Sequence, residues 1–92
     1  MEYYMPSVSM FYGVLIFIYF TNNKQHDFPH IILNLEFEAA FNIIDGEIID
    51  GKLPKNKTRL VQAWIELHRD ELLANWELAV NGKNIYPIEP LK

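Results

Sequence analysis

The first half of the chain carries hydrophobic patterns that are typical of β-strands. Residues Val14–Phe20 are rich in β-branched and aromatic side chains, which favours a strand covered on both faces. From Leu33 to Ile43, apolar and polar side chains alternate, which predicts strand with one apolar and one wet face. Because such a strand would exceed the usual length of roughly 3–10 residues, we expect a turn near residues 34–36.

A hairpin signal follows in the same half of the chain. Asp45-Gly46 lies between two apolar runs, and Asp and Gly tolerate the positive φ angles of a two-residue type I′ turn. The string Ile-Ile-Asp-Gly recurs at Ile48–Gly51, just before Lys52-Leu53-Pro54. We interpret the second copy as the exit of the last strand toward a helix.

Helical spacing begins at Lys55 and continues to Asn81. An apolar stripe, which we expect to cover the sheet, recurs every three to five residues: Leu60, Trp64, Leu67, Leu72, Trp76 and Ala79, widened by Val61, Ile65 and Val80. Asn81-Gly82 is a natural helix stop. A straight rod would be about 40 Å long, whereas a domain of this size is roughly 30 Å across. We therefore expect the helix to bend around residues 68–70 or to overhang and meet a partner.

The predicted architecture is α+β: a small antiparallel sheet of three to four strands packed against a long or kinked C-terminal α-helix. We expect a single domain over residues 1–92. Residues 1–4 are an N-terminal extension, 11–53 the sheet, 55–81 the helix and 83–92 an extended tail that lies back along the sheet or helix.

Composition narrows the functional class. The 92 residues include 12 acidic and 8 basic side chains, a net charge of −4, and no cysteine. The negative charge argues against a dedicated duplex-binding domain, and the lack of cysteine excludes disulfides and thiolate chemistry and fits the cytoplasm. The apolar run at residues 11–20 is half the roughly 20 residues that span a bilayer, so we expect no membrane association.

Three histidines are the first candidates for chemistry. His26, His30 and His68 could form a three-ligand zinc site with an open position for water. Nothing in their spacing fixes the distances, however, so we favour ordinary loop, strand and helix histidines and expect no metal and no cofactor. His30 and His68 remain candidates for acid–base catalysis, since imidazole titrates near neutral pH.

A basic segment accompanies the predicted start of the helix. Lys52, Lys55, Lys57 and Arg59 carry half of the positive charge of the chain, at a helix N-terminus where backbone N–H groups already attract anions. This is a candidate anion-binding or nucleic-acid-binding site. With a histidine beside it, a metal-independent ribonuclease is conceivable. The alternative is a solvated helix start with ordinary surface lysines.

Aromatic side chains near the N-terminus are a candidate interface. Tyr3, Tyr4, Phe11 and Tyr12 are hard to bury all at once, and exposed aromatic clusters mark protein–protein surfaces. By contrast, Trp64 and Trp76 lie at helical spacing, and we expect them in the core.

Several strings resemble a bacterial family known only as domain of unknown function 4160. They are Met5–Val14, Glu36–Ile43, Gly51–Pro54 and Leu60–Glu77, the last containing Trp-Ile-Glu-Leu-His-Arg-Asp-Glu-Leu. The resemblance runs from Met5 to about Leu91, which makes residues 1–4 an extension and Met5 an alternative start.

One departure from the family pattern concerns the histidines. Family members typically carry Pro-Pro-His-Phe-His entering the second strand, whereas this chain reads His-Asp-Phe-Pro-His-Ile at residues 26–31. Chemistry that needs both imidazoles is therefore in doubt here. The resemblance implies a small sheet-plus-helix protein, often encoded beside another small protein, which suggests a toxin–antitoxin-type or regulatory pair.

Two functions from different classes follow. The favoured one is a protein-interaction or regulatory module without catalytic activity that binds a cognate small protein or a second copy of itself. The alternative is a ribonuclease-like toxin that uses His30 or His68 near the basic segment, with RNA as its substrate.

Overall fold

The computed structural model of the chain describes residues 7–18, 29–35 and 38–91. In this part of the chain, five strands precede one helix. In order they are β1 (Ser7–Phe11), β2 (Val14–Phe17), β3 (His30–Leu35), β4 (Ala39–Asn42), β5 (Ile48–Gly51) and α1 (Lys55–Val80).

The strands form one antiparallel sheet in chain order, β1-β2-β3-β4-β5. The predicted α+β class is confirmed. The sheet has five strands rather than three to four, and it begins at Ser7 rather than at residue 11. β1 was missed because the pairing register shifts between Ser7 and Ser9, which interrupts the regular alternation that a sequence pattern detects.

The β1–β2 connection is a tight two-residue turn. Phe11 pairs with Val14, and the two residues between them have positive φ angles, 49° at Tyr12 and 79° at Gly13. Positive φ at both positions is what a type I′ turn requires. The Lys57 ammonium donates a hydrogen bond to the Tyr12 carbonyl, so the start of α1 holds this turn in place.

The hairpin predicted at Asp45-Gly46 is confirmed, but its predicted turn type is wrong. The Asn42 N–H donates to the Glu47 carbonyl at 2.9 Å, so four residues, 43–46, form the loop. Asp45 does not have the positive φ angle that type I′ needs. Its carboxylate instead accepts from the Glu47 N–H at 2.9 Å, a side-chain turn that competes with the two-residue form.

Helix α1 covers the sheet with a face that carries both indoles. The buried residues of this face are Val61, Trp64, Ile65, Leu72, Asn75 and Trp76. Trp64 is fully buried and Trp76 is 6% exposed, which confirms the prediction that both belong to the core. Leu67 was wrongly placed on the apolar stripe, since it is 69% exposed. At 100° per residue it lies about 120° from the centre of the buried face of α1.

The expected bend in the helix is present. His68 has non-helical angles, φ −119° and ψ 22°, in the middle of α1. A straight helix of 26 residues would be about 39 Å long, whereas the longest dimension of the molecule is 34 Å. The kink keeps both halves of the helix over the sheet.

One flank of α1 holds the β4–β5 loop. The Gln62 side-chain amide donates to the Gly46 carbonyl at 2.9 Å, and Arg69 donates from Nε to the Ile43 carbonyl at 2.9 Å. Glu66 lies between them on the helix and pairs with Arg69 at 2.6 Å. In the described part of the chain, no helix is both long and apolar enough to cross a membrane.

Two glycines with positive φ give a matched test of the β4–β5 pairing. Gly51 (φ 82°) has the backbone of Glu38 and Ala39 where a Cβ would lie, with the Ala39 Cα at 2.8 Å, whereas Gly82 (φ 70°) has nothing within 4 Å. Gly82→Ala should cost about 1–2 kcal/mol of unfolding free energy. Gly51→Ala should cost about 1–3 kcal/mol more, because the backbone clash adds to the strain. Urea denaturation followed by tryptophan fluorescence measures both, and equal losses would contradict the clash.

Candidate functional site

The two histidines proposed for catalysis contact the rings of two different tryptophans. His30, at the start of β3, is 6% exposed, and its ring centroid is 5.1 Å from that of Trp76. His68, at the kink, lies 5.6 Å from Trp64. Trp64 and Trp76 are separated by about 18 Å along the helix. The structure therefore places the two imidazoles in separate environments rather than side by side.

The His68 ring has a partner on its own helix. Its Nδ1 lies 2.6 Å from the Glu71 Oε1, three residues further along the chain. Contact between positions i and i+3 is normal on a helix, and here it connects the kink to the first turn of the second half. This histidine therefore has a structural contact that accounts for its position.

A metal centre gains no support from the described residues. His26 lies outside them. Within residues 7–18, 29–35 and 38–91, there is no group of three or more His, Asp or Glu side chains that could hold a metal ion. The expectation that the protein needs no metal or cofactor stays a prediction.

The basic segment is divided between two roles. Lys52, Lys55 and Arg59 are exposed, whereas Lys57 is half-buried and donates to the Tyr12 carbonyl. Lys57 also lies about 16 Å along the helix from His68. Lys52, Lys55 and Arg59 therefore stay exposed around the helix start, and Arg59, the nearest of them to His68 in the chain, lies about 14 Å from it along the helix.

The aromatic surface predicted near the N-terminus is only partly described. Tyr3 and Tyr4 lie outside the described residues. Phe11 is 7% exposed and contacts Trp64 with ring centroids 5.4 Å apart, so its predicted place on an exposed surface is wrong. Tyr12 is 49% exposed. Phe11 is buried because it belongs to β1, a strand of the sheet that α1 covers.

The C-terminal tail, residues 83–91, is held against the helix by a buried amide. Asn75 is 3% exposed; its Nδ2 donates to the Tyr86 carbonyl at 2.8 Å. Its Oδ1 accepts from the Tyr86 N–H at 2.9 Å. The side chain thus pairs with the tail as a neighbouring peptide group would, and both of its polar ends are satisfied.

Two further hydrogen bonds extend the attachment. Trp64 Nε1 donates to the Glu89 carbonyl at 2.8 Å, and the Ile88 N–H donates to the Val8 carbonyl on β1 at 2.8 Å. Ile88 is 5% exposed and joins the core. The tail therefore lies along both the helix and the edge of the sheet, as the sequence predicted.

Between the tail and the second half of α1 lies a cavity of about 450 Å³, here called the tail groove. Five of its ten residues are aliphatic or aromatic, three are charged and two are asparagines, but most of the surface that they present to the cavity is apolar: Glu71, Ala74, Asn75, Glu77, Leu78, Asn81, Lys83, Tyr86, Pro87 and Ile88. Concave sites of this size with few polar groups are typical binding sites.

Exposed apolar side chains lie at the tail groove and next to it. Tyr86, one of its walls, is 70% exposed, and Leu67 is 69% exposed. Glu71, Ala74 and Leu78 are spaced by three and four residues, so they lie along one flank of the second half of the helix, and Leu67 lies four residues before Glu71, just before the kink at His68. This flank continues the tail groove toward the kink.

No sequence pattern predicts the tail groove. Its walls are 11 residues apart in the chain at Asn75 and Tyr86, and no local pattern reports where an irregular tail lies. One signal is available in the sequence: Asn75, a polar residue, directly precedes Trp76 and lies at a helical position that falls on the apolar stripe.

A comparison with models of protein families finds a match for this chain. The family model DUF4160, described as a domain of unknown function, matches residues 13–77. No curated protein matches the chain, and no solved structure matches it. The matched range contains β2 to β5 and most of α1, while β1 and the tail lie outside it.

The amide of Asn75 gives a direct test of the tail attachment. Asn75→Ala removes both hydrogen bonds to Tyr86 and should cost about 2 kcal/mol of unfolding free energy, at about 1 kcal/mol each. It should also accelerate hydrogen exchange at the amides of Tyr86 and Ile88. The control is Asn81→Ala, which removes only an exposed bond to the Glu77 carbonyl and should cost less than about 0.5 kcal/mol. Unchanged exchange at Tyr86 would contradict the attachment.

Proposed function

Because the chain belongs to the DUF4160 family, whose description assigns no activity, we propose that it is a protein-interaction module. It binds a cognate protein through the tail groove and the exposed flank that begins at Leu67. The observation that carries this proposal is the combination of an apolar cavity of about 450 Å³ with two large apolar side chains, Leu67 and Tyr86, that are about 70% exposed beside it. Apolar surface of this kind is costly in water and is typical of binding sites.

The attachment of the tail supports the same proposal. Tyr86 is held through its backbone by Asn75, while its side chain stays exposed. Because the backbone of Tyr86 is already fixed, little conformational entropy is lost there when a partner binds. More of the contact energy therefore contributes to affinity. An aromatic side chain on such a wall is a favourable hot-spot residue.

The ribonuclease alternative receives no support from the described contacts. His30 is buried against Trp76, and Lys57 is engaged with the turn at Tyr12. RNA cleavage therefore stays a prediction from the sequence. Membership in a toxin–antitoxin-type pair likewise stays a prediction, which rests on the resemblance described above.

Binding through the tail groove can be tested by substitution on its walls. A photo-reactive phenylalanine analogue at position 86 should crosslink the cognate protein in host cells, and titration calorimetry with the purified partner then measures affinity. We expect Tyr86→Ala and Leu67→Glu each to weaken binding at least tenfold, about 1.4 kcal/mol, as is usual for central interface residues.

The matched control is Ile44→Glu. Ile44 is an aliphatic residue, 58% exposed, but it lies in the β4–β5 loop on the other flank of α1. This variant should bind the partner as the unchanged protein does. The proposal fails if Tyr86→Ala and Leu67→Glu leave the affinity for the partner unchanged, or if Ile44→Glu weakens binding equally.

A further inference from the structure

The charges around the tail groove are mainly negative. Two of its residues, Glu71 and Glu77, are acidic and exposed, and Lys83 is its one basic residue. Asp70 and Glu89, which adjoin residues of the tail groove in the chain, are also exposed. Glu71 and Glu77 line the tail groove and therefore act on a ligand in it, since electrostatic screening in physiological salt extends over about 8 Å.

The end of α1 adds to this negative potential. The last turn of the helix contains no basic residue, and Glu77 lies in it. Carbonyl groups at a helix C-terminus carry a partial negative charge, which helices usually offset with a cation. Here Glu77 does the opposite and is unfavourable for the isolated helix. A cationic ligand would remove this cost.

From this distribution we infer that the segment bound in the tail groove is basic. It is a stretch of the partner protein with apolar side chains that fill the groove and Lys or Arg side chains that meet Glu71 and Glu77. This inference rests on the proposed function and specifies the partner of that site. A second copy of the chain fits poorly, because a symmetric contact would bring the same acidic residues together.

A peptide selection tests the charge of the occupant. A displayed library of random 16-residue peptides is selected on the full chain, after depletion on a Leu78→Asp variant whose folding has been verified by circular dichroism. Leu78 lines the tail groove, so the peptides that remain are those that need it. We expect these peptides to carry a net positive charge. Replacing their Lys and Arg by Gln should weaken binding at least tenfold.

Variants of the chain locate the effect. Glu77→Gln should weaken the selected peptides about threefold or more, and the loss should shrink at 0.5 M salt, where the screening length falls to a few ångströms. Glu71→Gln should act in the same direction. Because Glu71 also contacts His68, the unfolding free energy of the Glu71→Gln variant is measured as well. Glu77→Gln is the decisive variant. The control is Glu47→Gln, an exposed residue next to β5, which should have no effect.

Four outcomes would overturn the inference. If the selected peptides are neutral or acidic, or if Glu77→Gln leaves their affinity unchanged, the tail groove binds protein but not through basic residues, and the proposed function survives. If no peptide depends on Leu78 and Tyr86→Ala leaves binding of the natural partner intact, the inference and the proposed function both fail. A homodimer seen by light scattering that Tyr86→Ala dissolves would assign the tail groove to self-association instead.

Discussion

The two buried indoles of a single helix determine how this protein is assembled. A buried aromatic side chain removes roughly 150–250 Å² from water, about 4–6 kcal/mol as an upper bound. A hydrogen bond contributes about 1 kcal/mol. The position of α1 is therefore set mainly by Trp64 against Phe11 and by Trp76 against His30. The hydrogen bonds on its two flanks refine this position.

Two fixed contact points on one helix explain the kink between them. Trp64 lies over the β1 side of the sheet and Trp76 over the start of β3. A 26-residue helix is too long to stay straight over a sheet of this size. The deviation occurs at His68, which is stabilised there by Glu71 and by the ring of Trp64. A histidine that the sequence offers as a candidate for catalysis thus has a role in packing.

Sequence patterns identified most of the fold because most of it is locally encoded. The alternation around Phe41, the Asp45-Gly46 turn region and the spacing of Trp64 and Trp76 each reflect the period of a single element. What the patterns missed depends on contacts between distant residues. Ser7–Phe11 became a strand by pairing with β2 across a register shift, and Leu67 was excluded from the core by the direction of the helix face.

The candidate site was less predictable for the same reason. Histidines and lysines were visible as residue types, but whether they converge depends on the tertiary structure. His30 proved buried and Lys57 engaged with Tyr12. The tail groove, by contrast, is built from ordinary residues such as Ala74 and Pro87. No residue type marked it in advance.

The attachment of the tail has a practical consequence for where the chain can be shortened. A fragment trimmed to the family match, residues 13–77, would lose both β1 and the tail. Trp64 Nε1 and the amide of Asn75 would then lack their backbone partners at Glu89 and Tyr86. The edge of β2 would also be open to pairing with other molecules. Such a fragment would tend to precipitate, so soluble preparations should retain both ends.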